Sequence, residues 1–257
     1  MFSGRMSSRR RVREEGEKPF WISYSDLMTA LMVLFLVVMS VSMLVITREL
    51  LEQQKELVIA KQMMDALKAK REERQKAVDN VMNQLDSAAN NSKYAGKVHI
   101  GRDRRVVEFG DAAQFDSGDF HLTAEGENTL RDFVPVVLSA VDGNVGKGWF
   151  KRVVVEGFTD TDGSYLYNLD LSLKRAQSVV CTLLNASASN KLNPEQQKRV
   201  KEIFLVGGFS SNSAKDSKNA SRRVELRLDF QTIEENELQS KDVSIVQETD
   251  IGKCQLK

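Results

Sequence analysis

An uninterrupted apolar run near the N-terminus is the strongest pattern in the chain. Residues 27–46, LMTALMVLFLVVMSVSMLVI, contain no charged side chain. Twenty helical residues rise about 30 Å, which matches the hydrocarbon thickness of a bilayer. A cleaved signal peptide has a shorter apolar core, and a buried core helix rarely stays apolar on every face for this length. We therefore predict a single transmembrane helix over residues 20–47.

Apolar residues recur at heptad spacing in the segment that follows. Residues 48–92 are rich in Glu, Lys, Gln, Leu and Ala and contain neither Gly nor Pro, which predicts one long helix. The seam positions of the heptad are Leu50, Gln53, Leu57, Ala60, Met64, Leu67, Arg71, Arg74, Val78, Val81, Leu85 and Ala88. Most are apolar, which favours a dimerising coiled coil and hence a homodimer, with a break at the two arginines. A single helix lying on another surface is the alternative.

Strand-like and helix-like blocks alternate after residue 93. Strands are predicted at residues 104–109, 151–158, 203–209 and 223–230. Helices are predicted at residues 124–141, 168–186 and 194–200. This alternation predicts an α/β (α+β) domain with a mixed sheet over residues 93–231. Residues 232–257 then form a polar tail, with a short strand at VSIV (243–246) as its only predicted element.

The distribution of charge orients the chain. Residues 1–19 carry five arginines and Lys18 against three glutamates, whereas Arg48 is the lone basic residue just after the apolar run. The positive-inside rule therefore places the tail 1–19 in the cytoplasm and the C-terminal domain outside it. There, Cys181 and Cys254 either form a disulfide or remain isolated buried thiols. The net charge of +1 gives no general field for direct binding of nucleic acid.

One acidic residue lies at the entrance of the apolar run. A carboxylate at this depth, that of Asp26, is costly unless it is paired or hydrated. Thr29, Ala30 and Val33 follow on the same helical face and are small enough for a second helix to approach closely. Asp26 is therefore either an ion carrier at a helix–helix interface or a hydrated N-cap. Its position alone leaves both interpretations open.

The letters around this aspartate resemble the membrane segment of MotB-type stator subunits. The matching residues are Trp21, Tyr24, Asp26, Met28, Thr29, Met32 and Phe35. The resemblance implies that Asp26 binds a transported H⁺ or Na⁺, with Trp21, Tyr24 and Thr29 supporting the ion site. It also implies a location in the bacterial inner membrane, with the C-terminal domain in the periplasm. The implied partner is a MotA-like membrane subunit, with five copies around two copies of this chain.

A second motif resembles OmpA-like peptidoglycan-binding domains. The matching residues are Gly157, Thr159, Asp160, Asn168, Leu171, Ser172, Arg175 and Ala176. The resemblance implies that Asp160 and Arg175 bind the ammonium and carboxylate groups of the diaminopimelate side chain of the wall peptide. The other peptidoglycan-binding residues that it implies are Thr159, Tyr167, Asn168 and Leu169.

Two positions depart from the OmpA-like pattern. Phe158 replaces the usual His or Tyr, and Ser221 replaces the Asn that normally precedes Arg222, so Arg222 is carried over only weakly. The alternative interpretation of Asp160 and Arg175 is a structural ion pair across a turn.

The two resemblances together describe the B subunit of an ion-driven stator rather than an enzyme. The sequence contains no phosphate-binding loop, metal-ligand cluster or Ser-His-Asp arrangement, and no cofactor is expected. The heptad-like helix and the C-terminal tail resemble the ZorB-type subunits of Zorya anti-phage defence systems, whose partner is ZorA-like. The alternatives are a flagellar MotB subunit and a passive membrane-to-wall tether without ion flux. A TolR- or ExbD-type transducer fits less well because that family lacks the wall-binding motif.

Overall fold

The computed structural model describes residues 20–91, 93–143, 146, 148–185, 187–239, 252 and 254. The predicted cytoplasmic tail (1–19) and the predicted strand at 243–246 lie outside these residues. The chain divides into two compact units, Met1–Ala66 and Leu67–Lys257.

A single long helix contains the apolar run. Helix α1 covers Phe20–Ala89, and within the described chain it is the one helix whose length and hydropathy suit a membrane span. The hydroxyls of Ser40, Ser42 and Thr47 each donate to the carbonyl four residues earlier, at 2.7, 2.8 and 2.6 Å. These polar groups are therefore satisfied within the helix, as a lipid environment requires. The predicted helix is confirmed.

The C-terminal unit contains a five-stranded sheet and several helices. Its strands are β1 (His99–Gly101), β2 (Val106–Glu108), β3 (Phe150–Gly157), β4 (Phe204–Gly208) and β5 (Val224–Phe230). A 3-10 helix covers Gly110–Ala113, and the α-helices are α2 (Ala124–Asp142), α3 (Tyr165–Leu184), α4 (Pro194–Ile203), α5 (Lys218–Ser221) and α6 (Ile233–Gln239). The strand order is β1-β2-β5-β3-β4, and β3–β4 is the only parallel pair among the described strands. The predicted mixed sheet is confirmed.

The two faces of the sheet differ in chemistry. On β5, Val224, Leu226 and Leu228 belong to the apolar core that the sheet shares with α2 and α3. The side chains at the alternating positions between them point away from this core. Glu225 is one of them, and the pairing register aligns it with Glu108 of β2 and Glu156 of β3. Arginines and a lysine neutralise this acidic row, so the face outside the core is a network of ion pairs.

The predicted dimer seam is wrong for the last turns of α1. Val78, Val81 and Leu85 occupy seam positions, yet they are buried in the core of the C-terminal unit of their own chain. The unit therefore begins at Leu67 and includes part of the segment predicted as a dimerising linker. A heptad pattern records an apolar stripe but not the surface that covers it. Over residues 77–89, where the buried positions of α1 lie, the alternative, a helix lying on another surface, holds.

The predicted polar tail begins with a helix that the sequence analysis missed. Thr232 and Glu235 form a reciprocal cap at the start of α6: the Thr232 hydroxyl accepts from the Glu235 N–H at 3.2 Å, and a Glu235 carboxylate oxygen accepts from the Thr232 N–H at 3.1 Å. Lys151 pairs with Glu235, which fastens α6 to β3.

A disulfide joins Cys181 of α3 to Cys254, with Cα atoms 5.7 Å apart.

Candidate functional site

The first candidate residue, Asp26, lies inside α1 and not at its end. Because the helix begins at Phe20, the interpretation of Asp26 as an N-cap is wrong. Its side chain is exposed, and no side chain among the described residues donates a hydrogen bond to its carboxylate. The surrounding groove is lined by Asp26, Thr29, Ala30, Val33, Leu34, Val37 and Val38. One carboxylate is thus presented on a helix face that is apolar apart from Thr29.

The predicted supporting residues differ in their relation to Asp26. Thr29 lies one turn further along the same face, and its hydroxyl donates to the carbonyls of Ser25 at 3.0 Å and Asp26 at 2.9 Å. Tyr24 is exposed, but two residues along an α-helix correspond to about 200° of rotation, which places it on another face. Trp21 is part of the helix, and its side chain lies outside the described residues.

The second candidate site lies where the parallel strands β3 and β4 end. The Phe209 N–H donates to the Gly157 carbonyl, and the Thr159 N–H donates to the Ser210 carbonyl, both at 3.0 Å. Helix α3 lies directly against these strand ends. A Cβ atom at Gly157 would be only 1.9 Å from the Ser172 carbonyl oxygen, so only glycine permits this approach. The close contact brings the side chains of α3 over the loop that follows β3.

Asp160 is the acidic centre of this site, and its carboxylate is already occupied. It is 6% exposed. One carboxylate oxygen accepts from Arg222 Nη1 at 3.0 Å, and the other accepts from the Asp162 N–H at 3.1 Å. The Asn168 side-chain amide donates to the carbonyls of Asp160 and Asp162 at 3.4 and 3.0 Å. Asn168 therefore holds the loop that presents the acid.

Arg175 is completely buried behind this loop. Its Nε donates to the Asp119 carbonyl at 2.9 Å, Nη1 to the Phe158 carbonyl at 2.9 Å, and Nη2 to the Asp116 carbonyl at 3.0 Å. Burial lowers the pKa of Arg175 to about 10, and the nearby charge of Asp160 opposes this shift. The described ion pairs join Asp160 to Arg222 and not to Arg175, so the predicted structural pair between Asp160 and Arg175 is absent from them.

Arg222, which the sequence supported only weakly, lies at the centre of the site. Its Nε donates to the Phe115 carbonyl at 2.9 Å, and its Nη2 contacts the Asn219 side-chain oxygen. The Phe115 ring lies 4.9 Å from the Arg175 guanidinium carbon. Phe115 therefore contacts both arginines, one through its carbonyl and the other through its ring.

The remaining predicted residues form the rim and floor of the site. Tyr167 is 52% exposed, whereas Leu169 is half-buried. The Thr159 hydroxyl is buried and has no hydrogen-bond partner among the described residues. Lys218 pairs with Asp162 at 2.7 Å on the exposed side.

Within the part of the chain that the structure describes, no group of His, Cys, Asp and Glu side chains is arranged to hold a metal ion.

Sequence reasoning missed the loop 115–119, which supplies three backbone carbonyls to the two arginines. Asp116 and Asp119 accept through their main chain, so their side-chain chemistry carried no signal. The letters DSGD indicate a turn, and Gly118 has φ +72°. A turn signal does not reveal which distant side chain its carbonyls will meet.

Two family models match the chain. The model of the OmpA family matches residues 114–227. A model described as membrane MotB of the proton-channel complex MotA/MotB matches residues 7–67. The predicted OmpA-like domain and MotB-like membrane segment are confirmed.

One curated relative covers the chain from end to end. Zorya protein ZorB from Escherichia coli O139:H28 (strain E24377A / ETEC) is 40% identical over 258 residues, which include 100% of this chain and 98% of the relative. The chain belongs to the ZorB family. The predicted resemblance to ZorB-type subunits is therefore confirmed. ZorB-, MotB- and OmpA-type proteins are structural or stator components and not enzymes.

Solved structures also resemble the chain at lower identity. A putative MotB-like protein from Desulfovibrio vulgaris is 15% identical, with a TM-score of 0.41, over 62% of this chain and 99% of that chain. The cell wall anchor of the T6SS from Pseudomonas aeruginosa is 20% identical, with a TM-score of 0.36, over 57% of this chain and 97% of that chain.

Proposed function

We propose that this chain is the peptidoglycan-anchored B subunit of an ion-driven rotary stator that acts in anti-phage defence. The observation that carries the proposal is the presence, in one ZorB-family chain, of an exposed carboxylate on an apolar helix and a buried acid–guanidinium site in an OmpA-family domain. A passive tether would need the second feature only. The match over the whole chain to a ZorB protein favours the defence role over a flagellar one.

The ion-carrying half of the proposal rests on Asp26. A lone carboxylate on an apolar helix is costly in lipid and is retained where it serves an ion pathway. The groove beside it is lined by small and branched apolar residues that admit a neighbouring helix. We assign that helix to a ZorA-like, MotA-type subunit, with five copies around two of these chains. Asp26 then binds and releases H⁺ or Na⁺ as the ring steps.

The proposed homodimer rests on a stripe of exposed apolar residues in α1. Leu50, Leu57, Met64 and Leu67 occupy seam positions and are exposed in the single chain. Such a stripe on a helix outside the bilayer is stable in water when a second copy covers it. The seam is confined to the part of α1 before Arg71, because later seam positions are used within the chain.

The wall-binding half of the proposal rests on Asp160 and its surroundings. The side chain of diaminopimelate ends in an ammonium and a carboxylate, which an acid and a guanidinium complement. The buried Thr159 hydroxyl, which has no partner among the described residues, gives a ligand one further hydrogen-bonding group. For this use the N-terminus lies in the cytoplasm, the span in the inner membrane and the C-terminal unit in the periplasm.

Sedimentation with purified peptidoglycan tests the wall-binding half. We expect Asp160→Asn in the full chain to weaken co-sedimentation about tenfold or more, because it removes the charge that binds the ammonium group. Asp170→Asn is the matched control: it removes the same charge from the exposed side of α3, where Asp170 pairs with Lys174. Equal binding by wild type and Asp160→Asn would refute the assignment.

Ion flux tests the stator against the passive tether. The chain is expressed with its neighbouring MotA-type subunit, reconstituted in vesicles, and challenged separately with a proton gradient and a sodium gradient. We expect flux of one of these ions that requires both subunits. Absence of flux in an assembled complex, together with intact wall binding, would support the tether.

A further inference from the structure

The carboxylate proposed to bind the wall peptide is already paired with a cation of its own chain. We infer that Arg222 is an internal competitor: its guanidinium occupies the place of the ligand ammonium group on Asp160 and has to leave before the wall peptide binds. The inference rests on the proposed wall-binding function and adds a regulatory step to it. Arg222 becomes a residue that sets the affinity and not a direct ligand contact.

Both carboxylate oxygens of Asp160 already accept a hydrogen bond from a donor of the same chain. Arg222 holds one oxygen at 3.0 Å, and the Asp162 N–H holds the other at 3.1 Å. The Asp160 side chain is 8% exposed, so a ligand cannot approach it beside the existing partners. A backbone N–H in a tight loop cannot withdraw without unfolding the loop, whereas a side chain can change rotamer. The exchangeable partner is therefore Arg222.

The surroundings of Arg222 permit such a movement. It follows the four-residue helix α5, and residues 212–219 are all exposed, whereas Ser221 immediately before it is buried. Its resting position is held by the Phe115 carbonyl at 2.9 Å and by the side chain of Asn219. These contacts are made by the side chain alone, and Arg222 lies outside the strands. Breaking them requires no rearrangement of the sheet.

Arg175 differs from Arg222 in each of these respects. It is completely buried, and three backbone carbonyls of two separate segments hold its guanidinium. It therefore stays in place when Arg222 leaves. Asp160 is then open to the ammonium group, and the buried Arg175 remains beside it as a fixed positive charge that favours the ligand carboxylate through its field. Withdrawal of Arg222 converts a site that is satisfied internally into one that is complementary to the ligand.

The sign of one substitution tests the inference. In the full chain, Arg222→Gln removes the competing charge, and we expect about tenfold tighter co-sedimentation with purified peptidoglycan, the value of one charge-assisted hydrogen bond. A direct ligand contact would give weaker binding on the same change. Lys218→Gln is the matched control, since it removes an equal charge next to the site, where Lys218 pairs with Asp162. We expect that control to stay within about twofold of wild type.

A second variant keeps the charge and loosens only the resting position. Asn219→Ala removes one of the contacts that hold Arg222, and we expect about two- to threefold tighter binding. If Arg222→Gln fails to fold, this variant still decides the question. Unchanged or weaker binding by both variants, with Asp160→Asn abolishing binding, would overturn the competitor role alone. Binding that is unaffected by Asp160→Asn would instead overturn the wall site itself, and the inference with it.

Discussion

The two units of this protein treat their key acidic residues in opposite ways. Asp26, in the membrane-proximal unit, is exposed on an apolar face, and no described side chain donates to it. Asp160, in the C-terminal unit, is buried and has a partner on each oxygen. An exposed carboxylate in lipid has to be completed by another molecule, whereas Asp160 is satisfied within its own chain. The first unit therefore presents an acid with no donor among the described side chains, and the second presents an acid with two donors of its own chain.

Loss of the membrane carboxylate is expected to have the largest effect. Asp26→Asn keeps the size of the side chain but removes the charge proposed to bind the ion, so on the stator proposal ion flux and protection against phage should both be abolished. Folding of the C-terminal unit and its binding to peptidoglycan should be unchanged, because Asp26 lies outside that unit. The measurements are vesicle flux, phage plaque counts and peptidoglycan sedimentation. Full protection by a folded Asp26→Asn chain would show that the two units share one passive role.

Matched leucine substitutions sharpen the contrast along α1. Leu85 is 0% exposed, and Leu85→Ala should lower the free energy of unfolding of the C-terminal unit by about 3 kcal/mol, through lost burial and a cavity. Leu57 is 69% exposed, and Leu57→Ala should leave that unfolding unchanged while weakening the dimer. Denaturant melts and crosslinking measure the two effects. A dimer indifferent to Leu57→Ala would exclude the proposed seam.

The disulfide lies within the C-terminal unit. The disulfide between Cys181 and Cys254 spans 73 residues of sequence, so replacing both cysteines by serine should cost about 2–4 kcal/mol in unfolding free energy. Reductant should act in the same direction on wild type and have no effect on the double variant. Melting curves with and without reductant provide the comparison. If the melting curves of wild type with and without reductant coincide, the disulfide does not stabilise the unit by restricting the unfolded chain.

Lowering the pH should reduce the stability of the C-terminal unit slightly. Burial tends to raise the pKa of Glu108, but the hydrogen bond and charge of Lys215 and the charge of Arg104 outweigh it, and its pKa lies below the ordinary 4.5. The ionised form is thus favoured by folding, so its stabilisation is present above pH 4.5 and is lost as the pH falls below it. Glu108→Gln should reduce the acid-induced loss by about 1 kcal/mol or less. Melts between pH 6 and pH 3 would detect it.

The sheet could be predicted from the sequence because its signals are local. Strand β3 was expected at residues 151–158 and covers Phe150–Gly157, since apolar runs and turn residues mark strands over a few positions. Strand β1 has three residues and no apolar run, so no pattern marked it. Helix α6 carried a readable signal, the Thr-x-x-Glu spacing of Thr232 and Glu235, which the sequence analysis did not use.

The site could be predicted only as a set of residues and not as an arrangement. The motif named Asp160 and Arg175, but two of the three carbonyls that bind Arg175 come from residues 56 and 59 positions away, and no spacing rule relates them. The pairing of Asp160 with Arg222 spans 62 positions. Long-range contacts of this kind follow from the register of strands and helices, which a single sequence does not specify.

The glycine at the end of β3 has a mechanical consequence. At Gly157 the backbone of β3 lies directly against the backbone of α3 at Ser172, with no side chain between them. Helix α3 also carries Arg175. A force applied to a peptide held at Asp160 passes through the main chain into β3 and across this contact into α3. There is no layer of side chains to yield along that path. The proposed anchor would benefit from such a joint, and a methyl group at Gly157 would force the strand and the helix apart.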